Sequence, residues 1–358
     1  MAGRVTLQDI ADELGLSRNT VSKAINNTGV LADSTRERVL RKAKEMGYKQ
    51  FTYLQFKEDF TTELGILTHS NSTASGERKK EIAVLSSGFI GGSHFAQRMI
   101  DRFQHDFSAV GYSISMYRVM PEEIQSLRLP SSFDPENISG IMCIELFQAD
   151  YCRMLCSLNL PVLLVDGPVS VFEGSFAADQ LLMDSQSQLF SFLREMQNRG
   201  KSKISFIGDI RHCQSFYDRY SALRQYGAFH GLTDDWSITG GSIAADPDGY
   251  VAYLEESLKG LTSLPDVFLC ANDFVALDVL TIFRKLGIRV PEDLWLCGFD
   301  DSPESQIVIP SLTTIHIHSQ IMGQAAVNLL YSRIHAPYIN YRTVYTETNL
   351  IYRNSTGD

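Results

Sequence analysis

The stretch VTLQDIADELGLSRNTVSKAIN, residues 5–26, decides how the rest of the chain is interpreted. Gly15 and Ser17 divide it into two short segments whose apolar residues have helical spacing. The glycine interrupts the first helix, and the serine hydroxyl is suited to cap the second. Two short helices joined by such a turn predict a helix-turn-helix, which places its second helix in the major groove of DNA. The predicted apolar faces comprise Leu7, Ile10, Ala11 and Leu14 in the first helix, and Val21, Ala24 and Ile25 in the second.

The other side of the predicted second helix is polar and basic. Asn19 and Lys23 lie four residues apart and therefore project together, with Arg18 beside them. Arginine and lysine suit the edge of guanine, and asparagine suits adenine. The alternative is a small helical hairpin with a solvated polar face, because short motifs also match by chance.

The charge of the chain is unevenly distributed. The whole sequence has a net charge of −10, which on average argues against a nucleic-acid partner. Residues 1–50, however, hold nine Lys/Arg and six Asp/Glu, a net charge of +3, and the rest of the chain carries −13. A basic head on an acidic body is the asymmetry expected of a DNA-binding module joined to a separate domain.

Length and composition limit the class of protein. The 358 residues allow two or three domains of roughly 100–200 residues each. No apolar run reaches the roughly 20 residues that cross a bilayer, and MAGRVTLQDIA lacks the apolar core of a signal peptide. We therefore expect a cytoplasmic protein with no membrane partner. We also expect no cofactor and no metal site, with the cysteines present as buried free thiols. These are Cys143, Cys152, Cys156, Cys213, Cys270 and Cys297.

A third helix is predicted to complete the head. Ser34 and Glu37 have the spacing of a capping box, and Gly47 is expected to follow the last turn. Three helices in so short a segment make a very small core. The apolar side of the third helix is predicted to comprise Val39, Leu40, Ala43 and Met46.

The head, with its segments VTLQDIADELGLSRNTVSKAIN and STRERVLRKAKEMGY, resembles the DNA-binding head of the lactose-repressor (LacI/GalR) family of transcriptional regulators. The resemblance covers residues 5–48. It implies that Arg18, Asn19 and Lys23 reach bases. It also implies phosphate contacts from Thr6, Ser17, Ser22 and Asn26.

Residues 51–80 depart from that family, which continues with a Pro-Asn segment and a hinge helix that wedges a leucine into the minor groove. This chain has no proline there and is rich in aromatic residues, and Leu54 is its candidate wedge. A β-hairpin and a packed dimer contact through the aromatic side chains are the alternatives. The polar segment HSNSTASGERKK predicts a linker or loop.

From Glu81 onwards, apolar strands alternate with amphipathic helices. This alternation predicts parallel sheets covered on both faces, arranged as two doubly wound α/β lobes. One predicted helix, FAQRMIDRFQHDFSAVG, places its large apolar residues on one face. Another is LLMDSQSQLFSFLREMQNRG. The predicted strands are IAVLSS, YSISMYRV, ISGIMCIEL, PVLLVD, ISFIGD, DVFLCAND and LWLCGFDD.

Two later segments, PDVFLCANDFVALDVLTIFRKLGIRVPEDLWLCGFDD and PSLTTIHIHSQIMGQAAVNLL, resemble the same family and the periplasmic sugar-binding proteins that share its fold. The resemblance implies that the chain crosses between the lobes near 177, 315 and 342. The predicted organisation is a helix-turn-helix head (1–50), an atypical hinge or linker (51–80) and an effector-binding and dimerisation domain (81–358). In that domain the N-lobe comprises 81–177 and 315–342, and the C-lobe 178–314 and 343–358.

Polar residues at strand ends predict a ligand site in the cleft between the lobes, because ligands of α/β folds bind at the carboxyl ends of strands. The resemblance implies effector contacts from Arg219, Asn272 and Asp300, although Asp300 alternatively caps the next turn. Trp236 is expected to stack on a sugar. Departures from the family at neighbouring positions leave the effector class open. The candidate set is Phe95, Glu145, Arg219, Trp236, Asn272, Asp273 and Asp300.

These features favour a ligand-responsive transcriptional regulator, most simply a repressor, that binds operator DNA as a homodimer. The expected effector is a small molecule, a sugar or sugar derivative. The alternatives are a cytosolic solute-binding protein and a regulator that has lost effector control. We predict no catalytic residues, because no nucleophile set, paired carboxylates or nucleotide loop has a supporting context, and GFIGG lacks the GxGxxG spacing.

Overall fold

The computed structural model describes residues 5–25, 33–46, 81–88, 94–241 and 247–358. The chain forms two compact units, Met1–Glu77 and Arg78–Asp358, called here the head and the sensor. The aromatic segment, with its candidate wedge Leu54, lies outside the described residues. The helices of the head are α1 (Leu7–Leu14), α2 (Arg18–Ile25) and α3 (Asp33–Glu45).

The first helix of the head is defined by its two ends. The Thr6 hydroxyl accepts a hydrogen bond from the Asp9 amide, and the Asp9 carboxylate accepts one from the Thr6 amide, a reciprocal cap that satisfies two backbone donors. Gly15 follows the helix with a φ of +64°, a conformation that glycine adopts without strain. Ile10 and Ala11 are fully buried, and the rest of the predicted apolar stripe packs around them, so that prediction is confirmed.

The turn and the remaining helices complete a small core. The Ser17 hydroxyl accepts from the Thr20 amide at 3.1 Å, which confirms the predicted cap of α2. Arg38 of α3 donates to the Leu14 carbonyl and so ties α3 to the end of α1. The helix α3 already includes Asp33, so Ser34 is inside its first turn and is not the residue before it. The side chains of the predicted capping box and Gly47 lie outside the described residues. The buried core comprises Ile10, Ala11, Val21, Ala24, Val39 and Ala43.

The sensor is built on parallel sheets. Its first sheet has six strands in the order β10-β5-β4-β3-β1-β2, and its second has three in the order β6-β7-β8. Strand β9 pairs antiparallel with β11, and single bridges join it to the second sheet at Cys297↔Thr313 and Asp300↔His316. The strands are β1 (Glu81–Ser86), β2 (Ser113–Arg118), β3 (Ile138–Ile144), β4 (Val162–Val165), β5 (Asp179–Met183), β6 (Ile204–Ile207), β7 (Val267–Cys270), β8 (Trp295–Cys297), β9 (Thr314–Ile317), β10 (Thr343–Thr346) and β11 (Thr348–Ile351).

Helices cover both sheets. They are α4 (His94–Ala109), α5 (Pro121–Ser126), α6 (Ala149–Cys156), α7 (Ser170–Glu173), α8 (Ser187–Asn198), α9 (Gln214–His230), α10 (Pro247–Lys259), α11 (Asp273–Leu286), α12 (Pro303–Ile307) and α13 (Ser319–His335). A Cβ on Gly323 of α13 would lie 2.6 Å from the Met99 carbonyl oxygen of α4, so the glycine permits these two helices to pack closely. Met99, Phe103 and Phe107 are fully buried, as the predicted amphipathic face requires.

The chain crosses between the two lobes of the sensor at positions other than the predicted ones. The segment LLM, predicted as the start of a helix, belongs to strand β5, and the helix begins only at Ser187. A short apolar run beside a helical pattern cannot be assigned by periodicity alone. Because β5 and β10 both pair in the first sheet, the chain leaves the N-lobe after Met183 and after Thr346, and re-enters it after Ile317. The predicted points near 177, 315 and 342 therefore each precede the observed ones by a few residues.

A buried ion pair holds these passages together. The Asp179 carboxylate at the start of β5 accepts two hydrogen bonds from the Arg333 guanidinium, at 2.9 and 3.0 Å, and another from the Arg342 amide at 2.8 Å. Burial raises the pKa of Asp179, but the hydrogen bonds from the two arginines outweigh that effect and hold its pKa below the usual value. The pair joins β5 to α13 and to the residue before β10.

The cysteines and the hydropathy of the helices are ordinary. All six thiols are free; five are buried and Cys156 is half-buried, in agreement with the prediction of free thiols. Burial raises the pKa of Cys152 to about 12, so this thiol is not a thiolate at neutral pH. Among the helices in the described ranges, none has both the length and the apolar character needed to cross a membrane. Within the same ranges no group of His, Cys, Asp or Glu side chains is arranged to hold a metal ion.

Candidate functional site

The first candidate surface is the outer face of α2. Arg18, Asn19 and Lys23 are exposed there, while Val21 and Ala24 on the opposite face are buried in the head. Arg18 and Asn19 form the first turn, where unpaired backbone N–H groups carry partial positive charge that favours an anion. The surface therefore combines base-reading side chains with a phosphate-attracting helix end.

The residues assigned to phosphate contacts surround this surface in different ways. The hydroxyls of Thr6 and Ser17 each accept a backbone hydrogen bond at a helix start, which fixes their position. Ser22 is half-buried on α2. Asn26 lies outside the described residues. The phosphate contacts of all four stay predictions that follow from the family resemblance.

The second candidate site is a cavity of about 580 Å³ in the sensor. It lies where strands of both sheets end: Glu145 follows β3, Asp166 follows β4, Asn272 follows β7 by one residue, and Asp300 lies just beyond β8. Both lobes therefore contribute polar side chains to one space, as the strand-end rule predicts. A cavity of this size is typical of small-molecule sites, which range over roughly 300–1,000 Å³.

The three carboxylate residues of the cavity share an unusual backbone conformation. Glu145 has a φ of +52°, Asp166 of +47° and Asp300 of +109°. Non-glycine residues rarely adopt positive φ, and such strain accumulates at functional sites. Three of the six non-glycine residues with positive φ in the described parts of the chain therefore line this cavity, which marks it as a candidate functional site.

Arg219 is the basic residue at the centre of the cavity wall. It projects from α9, is 2% exposed, and lies flat on the Phe299 ring with its guanidinium carbon 3.5 Å from the ring centroid. One terminal nitrogen donates to the Ala271 carbonyl at 2.5 Å, and the other lies 3.7 Å from the Asp300 carboxylate. Its Nε has no hydrogen-bond partner although it is buried. The guanidinium is thus firmly placed but incompletely bonded.

Asp300 faces the cavity, which accounts for its side chain being 22% exposed. Burial away from bulk water raises its pKa to about 8, and the nearby Arg219 guanidinium only partly opposes that shift. The neighbouring carboxylates Asp273, Asp166 and Glu145 raise the pKa further. At neutral pH this carboxyl is therefore largely protonated and able to donate as well as accept a hydrogen bond.

Asn272 has two tasks at the start of α11. Its side-chain oxygen accepts from the Val275 amide at 3.0 Å and caps the helix, which leaves its NH₂ group as a donor at the cavity that it lines. Phe274, two residues later, also lines the cavity with a ring that is 41% exposed.

Phe95 and Glu145 are also at the cavity. Phe95 is half-buried in the second position of α4, and the Glu145 carboxylate lies close to Gly88, where an added Cβ would be 3.5 Å from its Oε2. The main-chain carbonyl of Glu145 accepts from the Ser87 hydroxyl at 2.7 Å. Five of the seven predicted ligand residues thus line one cavity: Phe95, Glu145, Arg219, Asn272 and Asp300.

Asp273 does not reach the cavity, which corrects the prediction. As the first residue of α11 it points back under the sheet, where its carboxylate accepts from the Ser302 amide at 2.7 Å and from the Thr314 hydroxyl at 2.6 Å. It is fully buried, and a Cβ on Gly298 would lie 2.1 Å from its Oδ1. Its carboxylate fastens α11 to the loop after β8 and to β9.

Trp236 does not line the cavity either. Its indole nitrogen donates to the Ser263 hydroxyl at 3.1 Å, and the Lys203 ammonium lies 5.9 Å from the ring centroid. The indole is not among the residues that line the cavity, so the structure does not place it for stacking on a ligand there.

The cavity residues that the sequence reasoning missed include Asp166, His212 and Gln148. The Asp166 carboxylate accepts from both the amide and the hydroxyl of Ser215, at 2.8 and 2.7 Å, and so joins β4 to the start of α9. His212 is held between the rings of Phe147 and Phe216, and burial lowers its pKa, so it is neutral at pH 7. Gln148 presents a buried Oε1 with no hydrogen-bond partner.

Two sequence profiles match the head and a large part of the sensor. A sequence profile described as "Bacterial regulatory proteins, lacI family" matches residues 6–50, and one described as "Periplasmic binding protein-like domain" matches residues 193–356. The HTH-type transcriptional repressor PurR of Mannheimia succiniciproducens is 25% identical, over 98% of this chain and 98% of its own. The HTH-type transcriptional regulator GalR of Streptococcus thermophilus is 24% identical, over 98% of this chain and 99% of its own.

Solved structures show the same fold. A complex of the transcriptional regulator CelR with cellobiose has a TM-score of 0.65 at 21% identity and covers 98% of this chain and 100% of its own. A lac repressor dimer bound to operator and the anti-inducer ONPF has a TM-score of 0.61 at 19% identity and covers 99% of each chain.

A helix-turn-helix in the head and a two-lobed α/β sensor with a polar cavity define a ligand-responsive DNA-binding regulator. The head matches the lacI family of bacterial regulatory proteins, and nearly the whole chain is similar to the regulators PurR and GalR. Its relatives are named as transcriptional regulators, in agreement with the prediction of a regulator rather than an enzyme.

Proposed function

We propose that this regulator is a repressor that binds operator DNA as a homodimer and that a carbohydrate in the sensor cavity changes its operator affinity. The observation that carries the proposal is the pair formed by Arg219 and Asp300. A buried arginine and a carboxyl that is protonated at neutral pH meet in a cavity without completing each other's hydrogen bonds. Buried polar groups are normally satisfied, so an incomplete set in a cavity is matched to a ligand.

A carbohydrate fits the chemistry of this pair. Vicinal hydroxyls both donate and accept, and can therefore bind a guanidinium and a carboxyl together. The Asn272 amide adds a donor, and the Phe95 and Phe274 rings supply apolar surface for the C–H faces of a sugar. The similar regulator CelR is described in complex with cellobiose, which supports this class of effector.

The position of the cavity gives the ligand a way to act. Glu145 and Asp166 follow strands of the first sheet. Asn272 and Asp300 follow strands of the second sheet, and Arg219 lies on α9 in the same lobe. A ligand that contacts both sets is bound more tightly when the lobes are closed, and it therefore favours the closed state. Ligand control of operator affinity requires this difference in binding between two states of the sensor.

The DNA-binding part of the proposal rests on α2. Arg18 and Asn19 are exposed in the first turn of a capped helix, where a recognition helix carries base contacts, and Lys23 is exposed one turn after Asn19. The homodimer is supported by the similar lac repressor, which is described as a dimer bound to operator. Two-fold symmetry of the protein would then be mirrored in two half-sites of the operator.

The proposal is tested by operator selection followed by binding measurements. Random duplexes are selected on the full-length protein, and the dissociation constant for the enriched sequence is measured by fluorescence anisotropy. The double variant Asn19→Ala/Lys23→Ala is expected to lose about a hundredfold or more in affinity, because each base contact contributes about 1–3 kcal/mol.

The matched control is Arg41→Ala, which removes one exposed positive charge from α3 and no predicted base contact. It should weaken all duplexes slightly and leave the preference for the selected one intact. Light scattering checks that each variant keeps the size of the wild-type protein. Equal footprints of the double variant and the wild type on the selected operator would refute the assignment of α2.

A further inference from the structure

We propose that the sensor cavity accepts neutral or cationic polyhydroxylated ligands and rejects phosphorylated or carboxylated ones. This inference rests on the proposed function of the cavity as the effector site. It adds the charge class of the effector, which the family resemblance leaves open.

The charge of the lining is negative on balance. The carboxylates of Glu145 and Asp166 and the largely protonated carboxyl of Asp300 face one guanidinium, that of Arg219, among the lining residues that the structure describes. His212 adds no positive charge, because burial lowers the pKa of its imidazole.

The Arg219 guanidinium has only its Nε without a hydrogen-bond partner to offer an anion. One of its terminal nitrogens is bound to the Ala271 carbonyl, the other faces Asp300, and its flat face rests on Phe299. A phosphate that approached Arg219 would have to enter beside the Asp300 carboxyl. The negative charges of Asp166 and Glu145, which contribute to the raised pKa of Asp300, also disfavour a second anion at this position.

Hydrogen-bond polarity points the same way as charge. The Gln148 oxygen is a buried acceptor that lacks a donor, whereas the Asn272 amide and the Arg219 Nε are donors. A ligand that completes this lining must therefore donate hydrogen bonds as well as accept them. Hydroxyl and ammonium groups donate, whereas a phosphate dianion or a carboxylate only accepts.

The apolar residues of the lining indicate the shape and the apolar faces of the ligand. Phe147 and Phe216 enclose His212, and Phe95 and Phe274 also border the cavity. Rings placed around acceptors suit a compact ring with C–H faces and peripheral hydroxyls or an amine. The combination favours a free sugar or an amino sugar over a linear polyanion.

The test is a panel in which only one substituent changes. Glucose, galactose and mannose are each supplied as the free sugar, the 2-amino sugar and the 6-phosphate, and cellobiose is added with its 6-phosphate ester. Binding to the full-length protein is measured at pH 7 by thermal shift and then by calorimetry. For every parent that binds, the amino form should bind at least as tightly and the phosphate at least about tenfold more weakly.

A charge-changing variant separates charge from shape. Glu145→Gln keeps the size of the side chain and removes one carboxylate from the lining, so the ratio of amino-sugar to phosphate affinity should fall about tenfold. Glu136→Gln, which neutralises an exposed carboxylate outside the cavity, should leave this ratio unchanged.

The outcomes distinguish the charge rule from the proposed function. A 6-phosphate that binds as tightly as its parent overturns the charge rule. Phosphates that bind while every free sugar is silent overturn it as well, but leave the cavity as an effector site. A panel that is silent in all forms counts against the carbohydrate effector itself, and the charge rule falls with it.

Discussion

The sensor contains two buried arginine–aspartate pairs that differ in completeness. The Arg333 guanidinium donates two hydrogen bonds, of 2.9 and 3.0 Å, to the Asp179 carboxylate. Its other hydrogen bonds go to main-chain carbonyls. Arg219 approaches Asp300 only to 3.7 Å and keeps a buried Nε without a partner. The Arg333–Asp179 pair, called here the closed pair, joins β5 to α13 and to the residue before β10. The Arg219–Asp300 pair, called here the open pair, borders the cavity.

The comparison shows that residue type alone does not define a site. The same two side chains give opposite pKa shifts: hydrogen bonds hold the pKa of Asp179 below its usual value despite burial, whereas burial raises that of Asp300 to about 8. A satisfied ion pair contributes to the fold. An unsatisfied pair in a cavity can complete its hydrogen bonds with a ligand.

Breaking the closed pair should have the largest effect on stability. Asp179→Ala leaves Arg333 buried without its counter-charge, and the free energy of unfolding should fall by about 3–5 kcal/mol. Urea denaturation of the full-length protein measures it, with Glu136→Ala as the exposed control. A loss no greater than that of the control would show that the pair is not structural.

Breaking the open pair should cost less stability but remove ligand binding. Arg219→Ala leaves the Asp300 carboxyl, which is already largely protonated at neutral pH, so we expect a loss of about 2 kcal/mol in unfolding free energy, less than for the closed pair. Any thermal shift produced by the panel sugars should disappear. Arg289→Ala, which breaks an exposed ion pair with Asp293, is the control and should keep the shift. A shift that survives in Arg219→Ala means that the ligand binds elsewhere.

The protonation of Asp300 predicts a dependence of stability on pH. The folded protein binds a proton at a pKa of about 8, whereas the unfolded chain releases it near 3.8. Stability from this group is therefore complete below the lower value and decreases as the pH rises towards 8, by at most about 1.4 kcal/mol per pH unit. Asp300→Asn cannot titrate, and asparagine tolerates the positive φ. Its unfolding free energy should fall less steeply between pH 4 and 8 than that of the wild type; equal slopes would contradict the raised pKa.

The smallest effect is expected at Trp236, which lies outside both pairs. Trp236→Phe loses the hydrogen bond to Ser263 and should cost about 1 kcal/mol in unfolding free energy. The dissociation constant of a panel sugar should stay within about twofold of the wild-type value, because the indole does not reach the cavity. A tenfold weaker affinity would restore the predicted stacking role.

Some residues of the cavity could be predicted from the sequence, and others could not. The rule that strand ends meet at one edge, with the family resemblance, brought Arg219, Asn272 and Asp300 together. The same rule applied to PVLLVD would have found Asp166, which follows β4 as Asp300 follows β8. His212 and Gln148 lie in segments without a strand-end signal, and only the fold brings them to the cavity.

The errors have simple physical causes. Asp273 follows a strand but is the first residue of a helix, and this turn directs its side chain under the sheet and away from the cleft. Asp179, the anchor of the closed pair, was not recognised because Arg333 and Arg342 follow it by more than 150 residues. Such long-range pairs leave no local pattern in a sequence.

The measurement that tests the central claim most directly is operator affinity with and without a bound sugar. The selected operator is titrated with the full-length protein in the absence and presence of the panel sugar that gives the largest thermal shift. The account predicts a change in dissociation constant of at least about fivefold for the wild type and none for Arg219→Ala. A sugar that binds the cavity but leaves operator affinity unchanged would contradict it.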